Sequence, residues 1–209
     1  MRTDRKMTLA VTGGIGSGKS LVCSILGRNG FPVYDSDSRT KDLYLSVPGL
    51  SGRISDALGI DLCCPDGTLD RAGLAAVVFS DPDKLRLLES IVYPEVKADF
   101  LKWKENTPED CMWVVLESAV ILEKPFFRDL IDKVLLVDAP VKLRLERTME
   151  RDRSDAETVG RRMASQRLFT DISEGRRRPD ADFVIVNDGD ESSLERKVEA
   201  FCRNILPTK

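Results

Sequence analysis

One short stretch constrains the fold of this chain more than any other. The segment GGIGSGKS places Gly13, Gly18, Lys19 and Ser20 in the pattern G-x4-G-K-S. Glycines allow a tight loop whose backbone N–H groups point at phosphate oxygens, and the helix that follows directs its N-terminal dipole at the same anion. In this pattern the lysine reaches the β- and γ-phosphates, and the serine hydroxyl can bind Mg²⁺. The motif therefore predicts a strand, a phosphate-binding loop and a helix in succession.

The residues around the loop support this prediction. The apolar run TLAVTG (8–13) precedes the loop and is typical of a buried strand, and KSLVCSILGRN (19–29) follows with helical periodicity. Gly30 comes next, in the position of a glycine that ends a helix. A glycine-rich turn without function is a much weaker interpretation.

Strand-like and helix-like segments alternate along the chain. The helical patterns include 139–152, which begins near a proline, and 190–206. The apolar runs are mostly continuous, which suits strands covered on both faces of a parallel sheet. We therefore expect an α/β fold of the P-loop NTPase type, with a parallel five-stranded sheet flanked by helices. The five predicted strands are 8–13, 31–34, 112–117, 133–138 and 182–187.

A long stretch without strands interrupts this alternation. Residues 38–108 hold helical patterns, among them 80–92 and 93–106, and a connection of this length in a compact domain needs its own structure and purpose. We interpret it as a helical insertion in a single domain spanning 7–209. The core of that domain is expected at about 7–37, 110–140 and 181–209.

Arginines are concentrated between residues 144 and 178. Arg144, Arg147 and Arg151 are spaced to lie on one face of a helix, and a polar turn follows them. A lid that brings arginines to transferring phosphates has this composition. The alternative is a solvated pair of helices joined by salt bridges, because acidic residues are interleaved. RNA binding is a weaker possibility, because aromatic side chains are almost absent from the segment.

Two aspartates follow the second predicted strand, in DSDS (35–38). The chain contains no histidine, so proton transfer would fall to another side chain. Asp35 and Asp37 follow a strand parallel to the first one, on the edge of the sheet where ligands bind. One of them is thus a candidate base. The alternative is structural: Asp37 would cap a helix beginning at Ser38, and Asp35 would shape the turn.

Composition narrows the function classes. The net charge of −3 and pI of about 5.3 argue against a dedicated binder of nucleic acids or anionic membranes. Five cysteines without a C-x-x-C pair indicate a reducing compartment. The N-terminal sequence resembles neither a signal peptide nor a membrane span, so we expect a cytoplasmic protein. A switch GTPase is disfavoured because the guanine-reading tetrapeptide N/T-K-x-D is absent.

Taken together, these motifs resemble the dephospho-coenzyme A kinase family over nearly the whole chain. The resemblance lies in VTGGIGSGKS, in the D-x-D of VYDSDS, in RTMERD leading to Gln166, and in ADFVIVNDG near the end. It implies transfer of phosphate from ATP, with Mg²⁺, to the ribose 3′-hydroxyl of dephospho-coenzyme A, the last step of coenzyme A biosynthesis. Residues 66–96 resemble the family's helical acceptor-binding subdomain. Alternatives are another small-molecule kinase, of the shikimate or nucleoside monophosphate type, or a regulatory ATPase.

Motif and resemblance together give a set of expected site residues. The resemblance implies that Asp37 is the base, that Arg147 and Arg151 belong to the lid, and that Asn187 lies by the adenine. We expect catalytic roles for Asp37, Lys19 and Arg147, and a metal-binding role for Ser20. The expected nucleotide-binding residues are Gly14, Ile15, Gly16, Ser17, Gly18, Lys19, Ser20, Leu21, Arg151 and Asn187.

The chain departs from the family pattern at several positions. Tyr93 precedes Pro94 where the family usually has a histidine, and a tyrosine cannot take up a proton at neutral pH in the same way. Leu21 stands where a threonine often follows the loop serine. The segment LESAVILE (116–123) replaces a Pro-Leu-Leu-Phe-Glu version. Within it, Glu117 either holds Mg²⁺ through water or contacts the acceptor, and the sequence does not choose between these roles.

Overall fold

The computed structural model describes residues 5–64, 66–121, 124–166 and 181–206. These residues form two compact units, which we describe separately. One consists of the described residues of Met1–Tyr34 and Thr107–Lys209, and the other is Asp35–Asn106. The second unit nearly coincides with the insertion that the sequence predicts at 38–108. No helix in the described ranges combines the length and the apolar character that a membrane span requires.

A five-stranded sheet is the centre of the first unit. Its strand order is β2-β3-β1-β4-β5, so β1 is the middle strand and β3 separates it from β2. β1 pairs in parallel with β3 and β4, and β4 pairs in parallel with β5. The predicted five-stranded parallel sheet is confirmed. The strands are β1 Met7–Thr12, β2 Val33–Asp35, β3 Trp113–Glu117, β4 Lys133–Asp138 and β5 Phe183–Val186.

Four α-helices accompany the sheet in the described part of this unit. They are α1 Lys19–Arg28, α6 Val141–Asp152, α7 Ala156–Ser165 and α8 Glu191–Ile205, and a short 3-10 helix spans Pro125–Leu130. Leu9, Val11 and Leu135 are completely buried in a core that also holds Leu194 and Val198 of α8. Strands buried on both faces explain why the sequence shows continuous apolar runs instead of alternation.

The end of α1 is fixed by the glycine that the sequence singled out. Gly30 has φ of 87°, and its N–H donates to the carbonyl of Gly27. The N–H of Phe31 donates to the carbonyl of Leu26. This pair of bonds closes a helix around a left-handed residue, a conformation in which glycine carries no Cβ penalty. The chain can then turn directly into β2.

The described residues of the second unit form four α-helices. They are α2 Ser36–Ser46, α3 Leu50–Leu58, α4 Arg71–Ser80 and α5 Pro82–Glu105. Arg39 of α2 makes two bonds to Asp99 of α5, with Nε to Oδ2 at 3.0 Å and a second guanidinium nitrogen to Oδ1 at 2.7 Å. Arg53 of α3 donates to Glu95 of α5 at 2.6 Å. Both ion pairs therefore attach the smaller helices to α5.

The structure joins two segments that the sequence suggests as separate helical patterns. Both segments, 80–92 and 93–106, fall almost entirely within a single helix, α5 Pro82–Glu105, with Pro94 in its interior. Leu88, Val92, Val96 and Phe100 recur every four residues along α5 and are all buried. Pro94 is exposed on another face. The continuous buried stripe stabilises the helix across a proline that removes one backbone hydrogen bond.

Candidate active site

The loop between β1 and α1 adopts a conformation that depends on its glycines. Gly16 and Gly18 have φ of 77° and 90°, in the left-handed region that side chains disfavour. Gly18 is the N-cap residue of α1, and among the described residues no side chain caps this helix. The first N–H groups of α1 therefore have no side-chain partner at the loop, which is the arrangement that binds an anion.

Glu117 forms one wall of the site. Residue Val11 of β1 is in register with Glu117 at the carboxyl end of β3, so the carboxylate lies beside the strand that leads into the loop. Glu117 Oε1 accepts a hydrogen bond from Lys19 Nζ at 2.5 Å and another from Ser20 Oγ at 2.8 Å. The lysine and serine of the motif thus converge on one buried carboxylate. The sequence left the role of Glu117 open. Its position at the end of an apolar strand was the signal that it could belong to the site.

The opposite wall of the loop is formed by α6. Arg144, which is 3% exposed, donates from Nε to the carbonyl of Ile15 at 3.0 Å. A Cβ on Gly14 would collide with the Arg144 guanidinium, and a Cβ on Gly16 would collide with the Arg144 carbonyl and the Thr148 hydroxyl. Burial lowers the pKa of Arg144 below its ordinary value, and the nearby charge of Asp138 opposes this effect only in part. Arg144 therefore packs against the loop on the side of α6 and holds the Ile15 carbonyl in place.

Asn187 connects the loop to the end of β5. Its Nδ2 donates to the carbonyl of Ser17 at 2.9 Å, and the residue is 5% exposed. A Cβ on Gly18 would collide with this same Nδ2. Arg147 donates to the Asn187 carbonyl at 3.2 Å and, more distantly, to Asn187 Oδ1. Arg147 and Asn187, which the sequence predicts separately, are therefore in contact with each other.

The hydroxyl of Ser17 is an unusual group in the loop. Its side chain is 1% exposed, and Oγ has no hydrogen-bond partner within the described residues. Buried hydroxyls are normally paired, because an unmade hydrogen bond of this kind is unfavourable. A buried donor without a protein partner in a loop of this shape fits a phosphate ligand.

Arg151 occupies a different environment from the other two arginines of α6. It is exposed and donates from Nε to Oδ1 of Asp152 at 2.7 Å. Arg162 of α7 donates to Oδ2 of the same carboxylate at 2.5 Å. These two arginines hold the pKa of Asp152 well below its usual range. Of the arginines predicted to share a face, Arg144 supports the loop, Arg147 contacts Asn187, and Arg151 pairs with its neighbour. The rest of the predicted lid, residues 167–178, lies outside the described residues.

The second unit begins with the DSDS segment, and here the structure corrects the prediction about which aspartate caps the helix. The helix begins at Ser36, with Asp35 as its N-cap. Asp35 Oδ1 accepts from the N–H groups of Asp37 and Ser38, at 3.0 and 3.1 Å, and Oδ2 accepts from Ser38 Oγ. The suggestion that Asp37 caps a helix beginning at Ser38 is therefore wrong. Asp37 lies in the first turn, where a carboxylate also interacts favourably with the helix dipole.

Comparison with known proteins agrees with this geometry. A family model described as Dephospho-CoA kinase matches residues 7–193. A dephospho-CoA kinase of Porphyromonas gingivalis is 42% identical over 181 residues, covering 87% of this chain and 86% of its own length. The dephospho-CoA kinase of Corynebacterium glutamicum is 32% identical and covers 96% of this chain and 98% of its own.

Solved structures show the same fold. A protein of Thermus thermophilus superposes with a TM-score of 0.79 at 30% identity, covering 96% of this chain and 98% of its own. A dephospho-CoA kinase from Campylobacter jejuni gives a TM-score of 0.58 at 25% identity, over 96% of this chain and 97% of that one. With a family model matching most of its length and a relative that is 42% identical over 87% of the chain, this chain belongs to the dephospho-CoA kinase family and is an ATP-dependent kinase.

Proposed function

We propose that this protein transfers the γ-phosphoryl group of ATP to the ribose 3′-hydroxyl of 3′-dephospho-CoA, giving CoA and ADP. The observation that carries the proposal is the convergence of Lys19 and Ser20 on Glu117 beside a loop of the phosphate-binding type. In the transfer, the bond from the γ-phosphorus to the ADP oxygen breaks and a bond to the 3′-oxygen forms. The hydroxyl proton leaves for a base on the protein.

Phosphate binding falls to the loop and to Lys19. The proposed nucleotide-binding residues Gly14, Ile15, Gly16, Ser17, Gly18, Lys19, Ser20 and Leu21 run through the loop into α1. The N–H groups of Ile15 and Ser17 are already bonded within the protein, to Gln166 and to the Gly14 carbonyl, so the remaining loop N–H groups and the buried Ser17 hydroxyl are the donors offered to phosphate oxygens. Lys19 Nζ would exchange Glu117 for the β- and γ-phosphates. Since the transition state for phosphoryl transfer is loose, positioning and charge neutralisation supply most of the catalysis.

Ser20 and Glu117 fit a Mg²⁺ ion that accompanies ATP. Their oxygens are 2.8 Å apart, and hydroxyl and carboxylate oxygens are the ligands this hard cation prefers. We propose that the Ser20 hydroxyl would hold the ion and that the Glu117 carboxylate would help to hold it, through water. The ion, when bound, would neutralise charge on the β- and γ-phosphates. Until then, Glu117 keeps the Ser20 hydroxyl and the Lys19 ammonium in place.

Arg147, Arg151 and Asn187 are proposed to contact the nucleotide from the other side. Arg147 already contacts Asn187, whose side chain binds the loop carbonyl of Ser17. This contact is consistent with the Arg147 guanidinium lying next to the phosphates and the Asn187 amide lying close to the rest of the nucleotide. Arg151 would leave Asp152 to join them, as part of a lid extending over about 144–178.

The acceptor side of the reaction is assigned to the second unit. We propose that residues 38–108 bind dephospho-CoA, with 66–96 as the main acceptor segment, and that Asp37 accepts the proton of the 3′-hydroxyl. Two facts support Asp37 over Asp35. Asp35 is engaged as the cap of α2, and Asp37 follows the carboxyl end of β2 at the helix N-terminus. A cytoplasmic location and ATP with Mg²⁺ as the working cofactors complete the proposal.

One assay tests this function against the alternatives. ADP release is measured with ATP and Mg²⁺ and, in turn, with dephospho-CoA, shikimate, nucleoside monophosphates or water as the acceptor. We expect rapid ADP release only when dephospho-CoA is the acceptor, and a product that carries phosphate on the ribose 3′-oxygen. Faster release with shikimate or a nucleoside monophosphate, or release that needs no acceptor, would reject the proposal.

A further inference from the structure

Both backbone polar groups of Ile15, near the middle of the phosphate loop, are hydrogen-bonded to side chains from outside the loop. Gln166 Oε1 accepts a hydrogen bond from the Ile15 N–H at 2.8 Å. Arg144 Nε donates to the Ile15 carbonyl at 3.0 Å. The two partners come from different helices, and Gln166 is 151 residues away from Ile15 in sequence. This loop residue is therefore oriented by side chains outside the loop.

The Arg144 contact makes one side of the loop hard to displace. The guanidinium is buried against Gly14, and the carbonyl of the same residue lies against Gly16. The neighbouring Thr148 hydroxyl, which donates to that carbonyl at 2.7 Å, completes a wall without space for side chains. The loop is therefore packed closely against α6, and Gln166 contacts it at the Ile15 N–H.

Gln166 is itself fixed at its backbone. It is the C-cap residue of α7, and its N–H donates to the carbonyl of Met163 at 3.1 Å. A helix end held in this way gives the side chain a defined origin. The amide oxygen accepts a loop N–H of the same type as those that bind phosphates.

We propose that Gln166 is a positioning residue for nucleotide binding, which acts by fixing the Ile15 N–H. With that N–H occupied, the backbone from Gly14 to Gly16 keeps the tilt that directs the other N–H groups and the Ser17 hydroxyl toward the phosphates. The proposal rests on the proposed function in taking a nucleoside di- or triphosphate as the loop's ligand. It concerns phosphate binding and predicts no effect on the acceptor.

The test variant is Gln166→Met, which keeps the volume of the side chain and removes the acceptor oxygen. A second variant, Gln166→Asn, keeps an amide at the helix end but withdraws it by one methylene. Asn29→Leu is the matched control, because Asn29 is the C-cap of α1 and its amide also makes a bond to backbone, to the carbonyl of Ile25 at 2.9 Å. All three proteins are titrated with ADP and checked by thermal melting.

We expect both Gln166 variants to bind ADP roughly three- to tenfold more weakly, as the loss of one hydrogen bond implies, and to raise KM for ATP by a similar factor. The KM for dephospho-CoA should not change. Amide exchange at Ile15 should become faster in the Gln166 variants and stay normal in Asn29→Leu. ADP affinity equal to that of the wild type would overturn the proposal.

A purely structural role would give a different result, and that result would also overturn the proposal. In that case the Gln166 variants would melt at lower temperature, as Asn29→Leu would, and KM would rise equally for both substrates. Because the ADP titration needs no acceptor, its outcome is independent of the proposed reaction. If the wild type binds ADP but does not phosphorylate dephospho-CoA, the proposed function fails while the role of Gln166 is still decided by the titration.

Discussion

Lys19 Nζ lies 2.5 Å from Glu117 Oε1, and the two side chains are only 12% and 7% exposed. The cation that should bind phosphate is thus already paired with a buried carboxylate. Removing one member of such a pair leaves an unpaired buried charge, which is strongly unfavourable. The pair therefore links the stability of the loop to its function, and variants can separate the two.

Lys19→Ala should reduce turnover by a factor on the order of 10² or more, because the lysine's interaction with the phosphates strengthens as charge develops in the transition state. It should also lower the melting temperature, since Glu117 loses its partner. The double variant Lys19→Ala/Glu117→Gln should recover the melting temperature and leave turnover low. Steady-state kinetics and thermal melting measure the two effects.

A suitable control is Lys142→Ala, whose side chain is 87% exposed on α6 and pairs only distantly with Glu146. Near-normal turnover in Lys19→Ala would be incompatible with the proposed role of the loop. A double variant that recovers turnover together with stability would show that the lysine matters only as a partner of Glu117.

Glu117→Gln by itself addresses the metal ion. Glutamine keeps an oxygen close to Ser20 but removes the negative charge that attracts a cation. We expect the Mg²⁺ concentration for half-maximal activity to rise by roughly tenfold, the loss of about one charged interaction. Activity is measured over a Mg²⁺ series at fixed ATP. An unchanged Mg²⁺ requirement with lower affinity for dephospho-CoA would assign Glu117 to the acceptor.

The sequence was a good guide where the physics is local. Buried strands produce continuous apolar runs, and the predicted strand at 133–138 matches β4 at both ends. Gly30 ends α1 because the left-handed conformation favours glycine there. The interior of α5 was harder to predict, because Pro94 suggests an interruption and the buried stripe that outweighs it depends on packing.

The site could be predicted only in part, since its other contacts join distant segments. The loop motif fixes Lys19 and Ser20 by spacing alone. Nothing near Arg144 indicates that its side chain binds the carbonyl of Ile15, 129 residues earlier in the chain. The position of Glu117 likewise depends on the strand order, in which β3 lies next to β1, and a sequence does not state that order.

The Asp152 carboxylate gives a prediction about pH. Hydrogen bonds from Arg151 and Arg162 depress its pKa in the folded state. A depressed pKa contributes stability that is complete above the unfolded value, near 4, and is lost as pH falls toward the folded value. Asp152→Asn should therefore lower the melting temperature at pH 7 by about 1–2 °C, because a partly exposed ion pair contributes little, and the difference should shrink below about pH 4.

Asp56→Asn, at an exposed position on α3, is the control for this measurement. Melting curves of the three proteins are recorded from pH 7 downward. A difference between wild type and Asp152→Asn that grows as pH falls would have the wrong sign and would contradict the assigned cause.

Acceptor binding predicts a pattern of amide exchange. If the second unit binds dephospho-CoA, protection across 66–108 should increase when dephospho-CoA is added without ATP. The helix α8, which belongs to the first unit, serves as an internal reference and should not respond. A response confined to the phosphate loop would count against the assignment of the insertion to the acceptor.

The two aspartates of DSDS should separate stability from catalysis. Asp35 caps α2, so Asp35→Ala should destabilise the protein by about 1 kcal/mol and lower the melting temperature by roughly 2–4 °C. Asp35→Asn retains a capping oxygen and should be nearly silent in both measurements. Asp37→Asn leaves this cap intact, and its melting temperature should stay close to that of the wild type.

The catalytic effect should follow the opposite order. Asp37→Asn should reduce kcat by roughly 10²–10⁴-fold with little change in KM for ATP, because it removes a positioned base and leaves the nucleotide site intact. A carboxylate is a weak base, but a loose transition state requires little proton removal early in the reaction. Asp35→Ala should have the smaller effect on kcat. If Asp37→Asn turns over normally, proton acceptance by Asp37 is rejected, and with it the answer to how a kinase without histidine activates a ribose hydroxyl.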